Sequence, residues 1–216
     1  MKKLVIYDLD GTLVDTREDI VRAAQHMVRT MNAPELSFDE VCGYVGWGLH
    51  DLVGKCLKSS DRKKIEEGAG IFREHYQAHM LDFSRLYPGA REVLDYFRGR
   101  AQAVITNKPN PFSEQILKAL GVADYFLEIV PGNSPYPKKP DPKALFSVME
   151  KAGSDARGTL FVGDSLIDIE TGRNACVETV VMSHGFMAEQ ELRSGQPDFL
   201  IHSFLELMEL AGQKGW

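Results

Sequence analysis

The chain is short of cysteine, of basic surplus and of long apolar runs. Its three cysteines, Cys42, Cys56 and Cys176, contain no Cys-x-x-Cys pair. An odd number at such spacing supports neither a disulfide framework nor a zinc site. A reducing, cytoplasmic compartment is therefore expected. No uninterrupted apolar stretch approaches the length of a membrane span. Lys2 and Lys3 precede Leu4-Val5-Ile6 as in a signal peptide, but Asp8 and Asp10 cut the run too short for a hydrophobic region of that kind. The formal net charge is −6. Nucleic acid and anionic membrane favour basic faces, so neither is expected as a partner. A small anionic metabolite fits, provided a cation is supplied locally. Internal repeats and low-complexity tracts are absent.

What remains is the composition of an ordinary globular protein, 44% hydrophobic and 26% charged over 216 residues, long enough for one or two domains. From about residue 86 onward, short apolar runs alternate with helical patterns. Ala101–Thr106, Phe126–Val130, Thr159–Gly163 and Glu178–Met182 read as strands covered on both faces. Helices are expected from about Ser113 to Leu120 and from Pro142 to Ala152, the second with proline at its start and Gly153 just beyond its end. This alternation predicts a doubly wound parallel α/β sheet. Residues 15–84 contain no convincing strand. Thr16-x-x-Asp19 opens one helix, Ser37-x-x-Glu40 is a capping box before a short one, and Asp61 caps a long one. The long helix carries Ile65, Ala69, Phe72 and Tyr76 as an apolar stripe. An all-helical insertion thus separates the first strand from the rest of the sheet.

The first strand ends in Asp8-Leu9-Asp10-Gly11-Thr12. In extended backbone, residues i and i+2 share a face, so Asp8 and Asp10 project together beyond the strand's carboxyl end. Open α/β sheets bind ligands at that edge. Two carboxylates so placed are costly unless a cation lies between them or one is protonated. The alternative is that one caps a helix and the other closes an Asx turn. Three more stretches bear on the choice. Thr106-Asn107 puts hydroxyl and amide donors at the end of another strand. Lys139-Pro140-Asp141-Pro142 holds a lysine on stiff backbone before a helix. Gly163-Asp164-x-x-x-Asp168 ends a third strand and places a second aspartate one turn on. Each alone is ordinary turn chemistry. Together they gather four acidic groups, two small donors and a lysine at one sheet edge. Such an oxygen-rich cluster suits Mg²⁺, and an ionised carboxylate can attack phosphorus without a general base.

The order Asp-x-Asp-Gly-Thr-x-Val, strand-end Thr, Lys-Pro-x-Pro and Gly-Asp-x-x-x-Asp resembles the haloacid dehalogenase superfamily, whose members with this pattern are mostly Mg²⁺-dependent phosphatases. The resemblance implies a Rossmann-like core, residues 1–14 and 85–216, with a helical cap at 15–84. Tyr44–Leu49, Leu86–Gly89, Ser183–Phe186 and Pro197–Ile201 are similar to stretches of phosphoglycolate phosphatases. The resemblance further implies that Asp8 is the nucleophile forming an aspartyl-phosphate and that Asp10 is the acid and base. Thr106 and Asn107 would hold phosphate oxygens, and Lys139, with Lys138 as the other possible register, would pair with Asp8 and phosphate. Mg²⁺ would be held by the Asp8 side chain, the Asp10 carbonyl and Asp164, with Asp168 behind them. The expected substrate is a small phosphorylated metabolite, 2-phosphoglycolate first. Gly46, Trp47 and Gly48 in the cap would recognise it, because two glycines allow close approach and their turn could present amides to a carboxylate. The other reading makes that stretch a helix–helix turn with Trp47 packed inside.

A phosphomutase shares all these motifs and differs in how its cap excludes water. A metal-free dehalogenase would share the nucleophile, but a halide leaving group needs no acid at Asp10. A non-enzymatic sensor would not need the full set of reactive groups. His75 and His79 have the spacing of a helical metal pair but flank the apolar stripe, so a solvated pair is expected. Arg62-Lys63-Lys64 reads as a solvated helix start and Cys176, beside a strand, as a small core residue.

Overall fold

In the computed structural model, which describes residues 1–216, the apolar run Leu4–Tyr7 forms strand β1 and is buried on both faces. Val14–Asp15 (β2) follows, then helices Arg17–Thr30 (α1), Phe38–Cys42 (α2), Leu49–Cys56 (α3) and Arg62–His79 (α4). Arg85–Leu86 (β3) returns antiparallel to β2, pairing Val14 with Leu86 and Asp15 with Arg85. After it come Ala90–Tyr96 (α5), Ala101–Ile105 (β4), Phe112–Ala119 (α6), Glu128–Val130 (β5), Lys143–Lys151 (α7) and Thr159–Gly163 (β6). Leu166–Asn174 (α8), Glu178–Met182 (β7), Glu189–Ser194 (α9), Phe199–Ile201 (β8) and Phe204–Lys214 (α10) complete the chain.

Six strands form one parallel sheet in the order β5-β4-β1-β6-β7-β8. The chain winds outward from β1 to one side and then crosses back to the other, so the order reverses beside β1. Alternation along β1 sends Leu4 and Ile6 into a cluster with Phe161, Leu145 and Val148. Val5 and Tyr7 enter a larger cluster with Val104, Leu160 and Val162. Both faces are thereby covered, as the uninterrupted apolar strands require. The strand expected from Phe126 starts at Glu128, because Ala123–Tyr125 first makes a turn of 3₁₀ helix. Cys176, expected in the core, is exposed instead, because it sits at φ 54° in the turn between α8 and β7.

Helices α1–α4 cluster over the carboxyl edge of the sheet, and the larger core runs on into them through Ile20, Met27, Val53, Phe72 and Tyr76. The Ser37–Glu40 capping box is formed, and Asp61 accepts from the Lys63 N–H. Thr16 and Asp19 act differently from a helix start. Thr16 makes no side-chain cap bond; its hydroxyl donates to Asp10 at 2.7 Å. Buried Asp19 accepts from the Phe83 N–H at 3.1 Å and from the Ser84 N–H and hydroxyl at 2.8 and 2.6 Å. This carboxylate and the β2–β3 ribbon tie the outgoing chain to the returning one. No strand is expected from sequence at Asp15, since a two-residue ribbon carries no periodicity.

Candidate active site

Strand register sets the site. Tyr7 pairs with Val104 on one side and Val162 on the other. The chain ends of β1, β4 and β6 therefore stand side by side at the reversal of strand order, the position where open α/β sheets bind ligands. They carry Asp8, Thr106 and Asp164, all buried. Gly11, at φ 81°, turns the backbone after β1; a Cβ there would collide with Asp164 Oδ2, so the turn admits only glycine.

Asp8, Asp164 and Asp168 offer oxygens within 4.8 Å of one another. Asp168 is the most committed. Its Oδ2 accepts from the Asp164 N–H, the Ser165 N–H and the Ser165 hydroxyl, capping α8, while its Oδ1 lies 2.7 Å from Lys139 Nζ. Asp164 accepts from the Thr12 hydroxyl at 2.8 Å and the Phe186 N–H at 3.0 Å. Asp8 Oδ1 is buried 2.9 Å from Lys139 Nζ, its charge partner. Burial pushes the Asp8 carboxyl up to about 6; Lys139 opposes the shift, and Asp168 and Asp10 add to it. Asp164 is raised for the same reason, burial first and then repulsion from Asp168 and Asp8. Burial alone would lower the Lys139 ammonium, but Asp168 and Asp8 hold it above the ordinary lysine value. One cation thus faces three buried carboxylates. The uncompensated charge and the all-oxygen donor set fit a hard divalent cation.

Lys138, one residue away, is exposed and reaches only the Trp47 carbonyl, at 3.4 Å. The structure brings Lys139, not Lys138, to Asp8. Thr106 accepts from the Lys108 N–H at 3.1 Å and donates to no protein acceptor. The Asn107 side chain is occupied: Nδ2 donates to Gly46 O at 2.8 Å and Lys139 O at 3.1 Å, and Oδ1 accepts from the Lys139 N–H. What Asn107 leaves open toward the site is its backbone N–H, which makes no protein bond.

Asp10 turns away from the acidic cluster. Its Oδ1 accepts from the Thr16 hydroxyl at 2.7 Å and lies 2.9 Å from Lys108 Nζ, with Oδ2 at 3.2 Å. Lys108 is a functional candidate that sequence reasoning misses. The signal is there: Lys108 follows Thr106 by two, the same i, i+2 relation that brings Asp8 and Asp10 together. Burial pulls its ammonium down, but Asp10 and Tyr76 together hold it above the ordinary value.

The cap closes a cavity of about 80 Å³ over these groups, lined by Asp8, Asp10, Thr106, Lys108 and Asp164 below and by apolar cap side chains above. Gly46 and Gly48 line it, but Trp47 does not; its ring is 46% exposed. Neither expectation for Trp47 is met, since it is neither in the cavity nor inside the cap. The Gly48 backbone sits at φ 94°, and a Cβ there would stand 2.5 Å from Lys138 Nζ and 3.2 Å from Asn107 O. That turn is the seam on which cap and core meet. Two other stretches singled out in the sequence converge behind the site: Tyr87 stacks on His184 at 3.8 Å, and His184 Nε2 lies 3.1 Å from the Thr12 carbonyl.

The family model for haloacid dehalogenase-like hydrolases matches residues 5–182. The chain belongs to that family. It is 35% identical over 217 residues to a phosphoglycolate phosphatase of Vibrio parahaemolyticus, covering 96% of this chain and 95% of that one. It is 35% identical to a phosphoglycolate phosphatase of Pseudomonas syringae over 96% of this chain and 79% of that one. A crystal structure described as a predicted phosphoglycolate phosphatase of Haemophilus somnus superposes with a TM-score of 0.92 at 27% identity, covering 97% and 98% of the two chains. The protein is a phosphoric monoester hydrolase of this family, resembling phosphoglycolate phosphatases.

Proposed function

We propose that the protein is a Mg²⁺-dependent phosphatase that hydrolyses 2-phosphoglycolate, or a phosphomonoester of that size, through an aspartyl-phosphate at Asp8. The observation that carries this reading is the Asp8 carboxylate at the end of the central strand, buried against Lys139 and grouped with Asp164 and Asp168. The Asp8 carboxylate attacks phosphorus, and the bond from phosphorus to the ester oxygen breaks. Asp10, on the cavity wall, gives a proton to the departing alkoxide. It then takes a proton from water, which attacks the aspartyl-phosphate, releases phosphate and restores Asp8. The Thr106 hydroxyl and the Asn107 backbone N–H donate to phosphate oxygens, and Lys139 balances the charge on Asp8 and phosphate. The Asp8 and Asp164 side chains and the Asp10 carbonyl would hold the metal, with Asp168 orienting Lys139 from behind. When bound, Mg²⁺ supplies positive charge that lets an anionic nucleophile approach an anionic phosphate.

The substrate assignment draws on the names of the relatives and on the cavity. At about 80 Å³ the cavity is small, which suits a compact ester. Residues 15–84 serve as the cap that excludes bulk water, and 1–14 with 85–216 as the core. No helix is long and apolar enough to cross a membrane. A cytoplasmic enzyme with a small-molecule substrate agrees with three free thiols, at Cys42, Cys56 and Cys176. The test is phosphate release from 2-phosphoglycolate and p-nitrophenyl phosphate with and without metal. EDTA should abolish turnover and Mg²⁺ restore it. Ca²⁺ should restore it poorly, because its larger and looser shell misplaces the nucleophile. Full activity after exhaustive chelation would overturn the reading.

A further inference from the structure

The wall of the cavity away from Asp8 is almost wholly apolar, built from Ile20, Val45, Leu52, Phe72 and Phe112. Two polar groups interrupt it. One is Lys108 Nζ, which lies 4.6 Å from the centre of the Tyr76 ring. The other is the Tyr76 hydroxyl, on a side chain only 1% exposed. That hydroxyl is buried and completes no regular hydrogen bond; its polar neighbour is the Lys108 ammonium. A buried hydroxyl so poorly paired is costly, so it marks a place where a ligand atom completes the bonding. Its ring is fixed, stacked on Phe72 at 5.4 Å and edge-on to Phe112 at 5.2 Å. The ammonium has three donors. Its two close hydrogen bonds go to the Asp10 carboxylate, and the remaining donor lies on the side of the Tyr76 hydroxyl, at the cavity.

We infer that Lys108 and the Tyr76 hydroxyl form a subsite for a carboxylate on the leaving group of the substrate. This rests on the phosphatase reading and names the groups that select its substrate. The chemistry of the pair is one-sided. An ammonium only donates, and the phenol is free to donate, so the ligand must present acceptors. A polyol leaving group would bring hydroxyl donors to an apolar wall and leave them unpaired. A second phosphate would bring two charges to a lysine already shared with Asp10. A carboxylate matches in charge, size and acceptor count. The subsite also moves acid recognition from the Gly46–Gly48 turn, the expectation from sequence, to a core lysine and a cap tyrosine. Since α4 carries Tyr76 and the core loop carries Lys108, a bound carboxylate would join cap to core and favour the closed arrangement.

The test compares 2-phosphoglycolate with 2-hydroxyethyl phosphate, which replaces the carboxylate by a neutral alcohol. Wild-type enzyme should prefer the acid. Tyr76→Phe keeps the ring and removes only a hydroxyl that lies beside Lys108, so the fold should survive. Its ratio of kcat/KM for acid over alcohol should fall by about tenfold to a hundredfold, the scale of one hydrogen bond to a charged group. Lys108→Met should lower that ratio further, on top of a general loss from its contact with Asp10. A second readout needs no turnover: competition between the inert 3-phosphonopropionate and 3-hydroxypropylphosphonate, measured by calorimetry in the presence of Mg²⁺. Wild type should bind the carboxylate better, and both variants should erase the difference. An acid preference unchanged in Tyr76→Phe and Lys108→Met overturns the subsite while leaving the phosphatase reading intact. Equal handling of acid and alcohol by wild type overturns it as well. If no ester is hydrolysed, the phosphatase reading fails and the binding comparison still decides the subsite. Should Tyr76→Phe fail to fold, Lys108→Met in the calorimetric comparison decides.

Discussion

Lys139 Nζ lies 2.9 Å from Asp8 Oδ1, with neither side chain open to solvent beyond 12%. The same ammonium is 2.7 Å from Asp168, so Asp168 holds the lysine while the lysine holds Asp8, the proposed nucleophile. Removing one partner of such a buried set leaves charge uncompensated, which is far costlier than losing a surface pair.

Lys139→Ala should therefore lower kcat/KM by on the order of 10²–10³-fold, as for loss of a preorganised charge donor. Lys138→Ala should change turnover little, since Lys138 is exposed and only touches the Trp47 carbonyl. Steady-state kinetics on p-nitrophenyl phosphate compare the two directly, and the reverse order would remove Lys139 from the phosphate site.

The two carboxylates of Asp8-Leu9-Asp10 should fail in different ways. Asp8→Asn removes the attacking oxygen and should leave no turnover and no covalent intermediate. Asp10→Asn removes proton transfer, worth about 10²–10⁴-fold. With p-nitrophenol, which leaves without help, the first step should be spared and the second slowed. Rapid mixing should then show a burst of nitrophenol and a phosphorylated protein detectable by mass. Wild-type turnover in Asp8→Asn would rule out the nucleophile.

Much of this arrangement is legible in the sequence because strand ends punctuate it. An apolar run closed by Asp, Thr or Gly-Asp names both the strand and the residue at its tip, and parallel strands put all such tips on one edge. β6 and β7 have the boundaries expected for them, and β4 stops one residue earlier than expected. What periodicity does not carry is contact made by a single side chain across long separations. Asp19 looks like a helix-start residue and instead fastens Ser84. The α4 stripe correctly buries Tyr76, but a stripe cannot tell a residue packed on neighbours from one facing a cavity. Trp47 looks like a ligand contact or a core residue because of its size, and the seam at Gly48 turns it outward. Lys108 reads as a loop lysine because its partner, Asp10, is 98 residues away.

The histidines of the cap give a prediction in pH. His26, His75 and His79 stack in sequence across α1 and α4, with centroids 4.4 and 4.5 Å apart. His79 Nδ1 lies 2.9 Å from Asp82, while His75 Nδ1 is buried without a partner. Burial lowers the His75 value below the ordinary 6.5, repulsion from His26, His79 and Arg29 lowers it further, and Asp82 opposes. The folded state thus binds its proton less readily than the unfolded chain. The associated stability is present above the ordinary histidine value and is lost as pH falls through the depressed one. His75→Phe keeps the stack and removes the titration. Between pH 7.5 and 5, the melting temperature of the wild type should fall further than that of His75→Phe. A difference of roughly 2 °C is the scale expected for one partly solvated group in a chain of this length. Thermal melts followed by circular dichroism at the two pH values measure it. Identical falls would show that acid acts elsewhere than at His75.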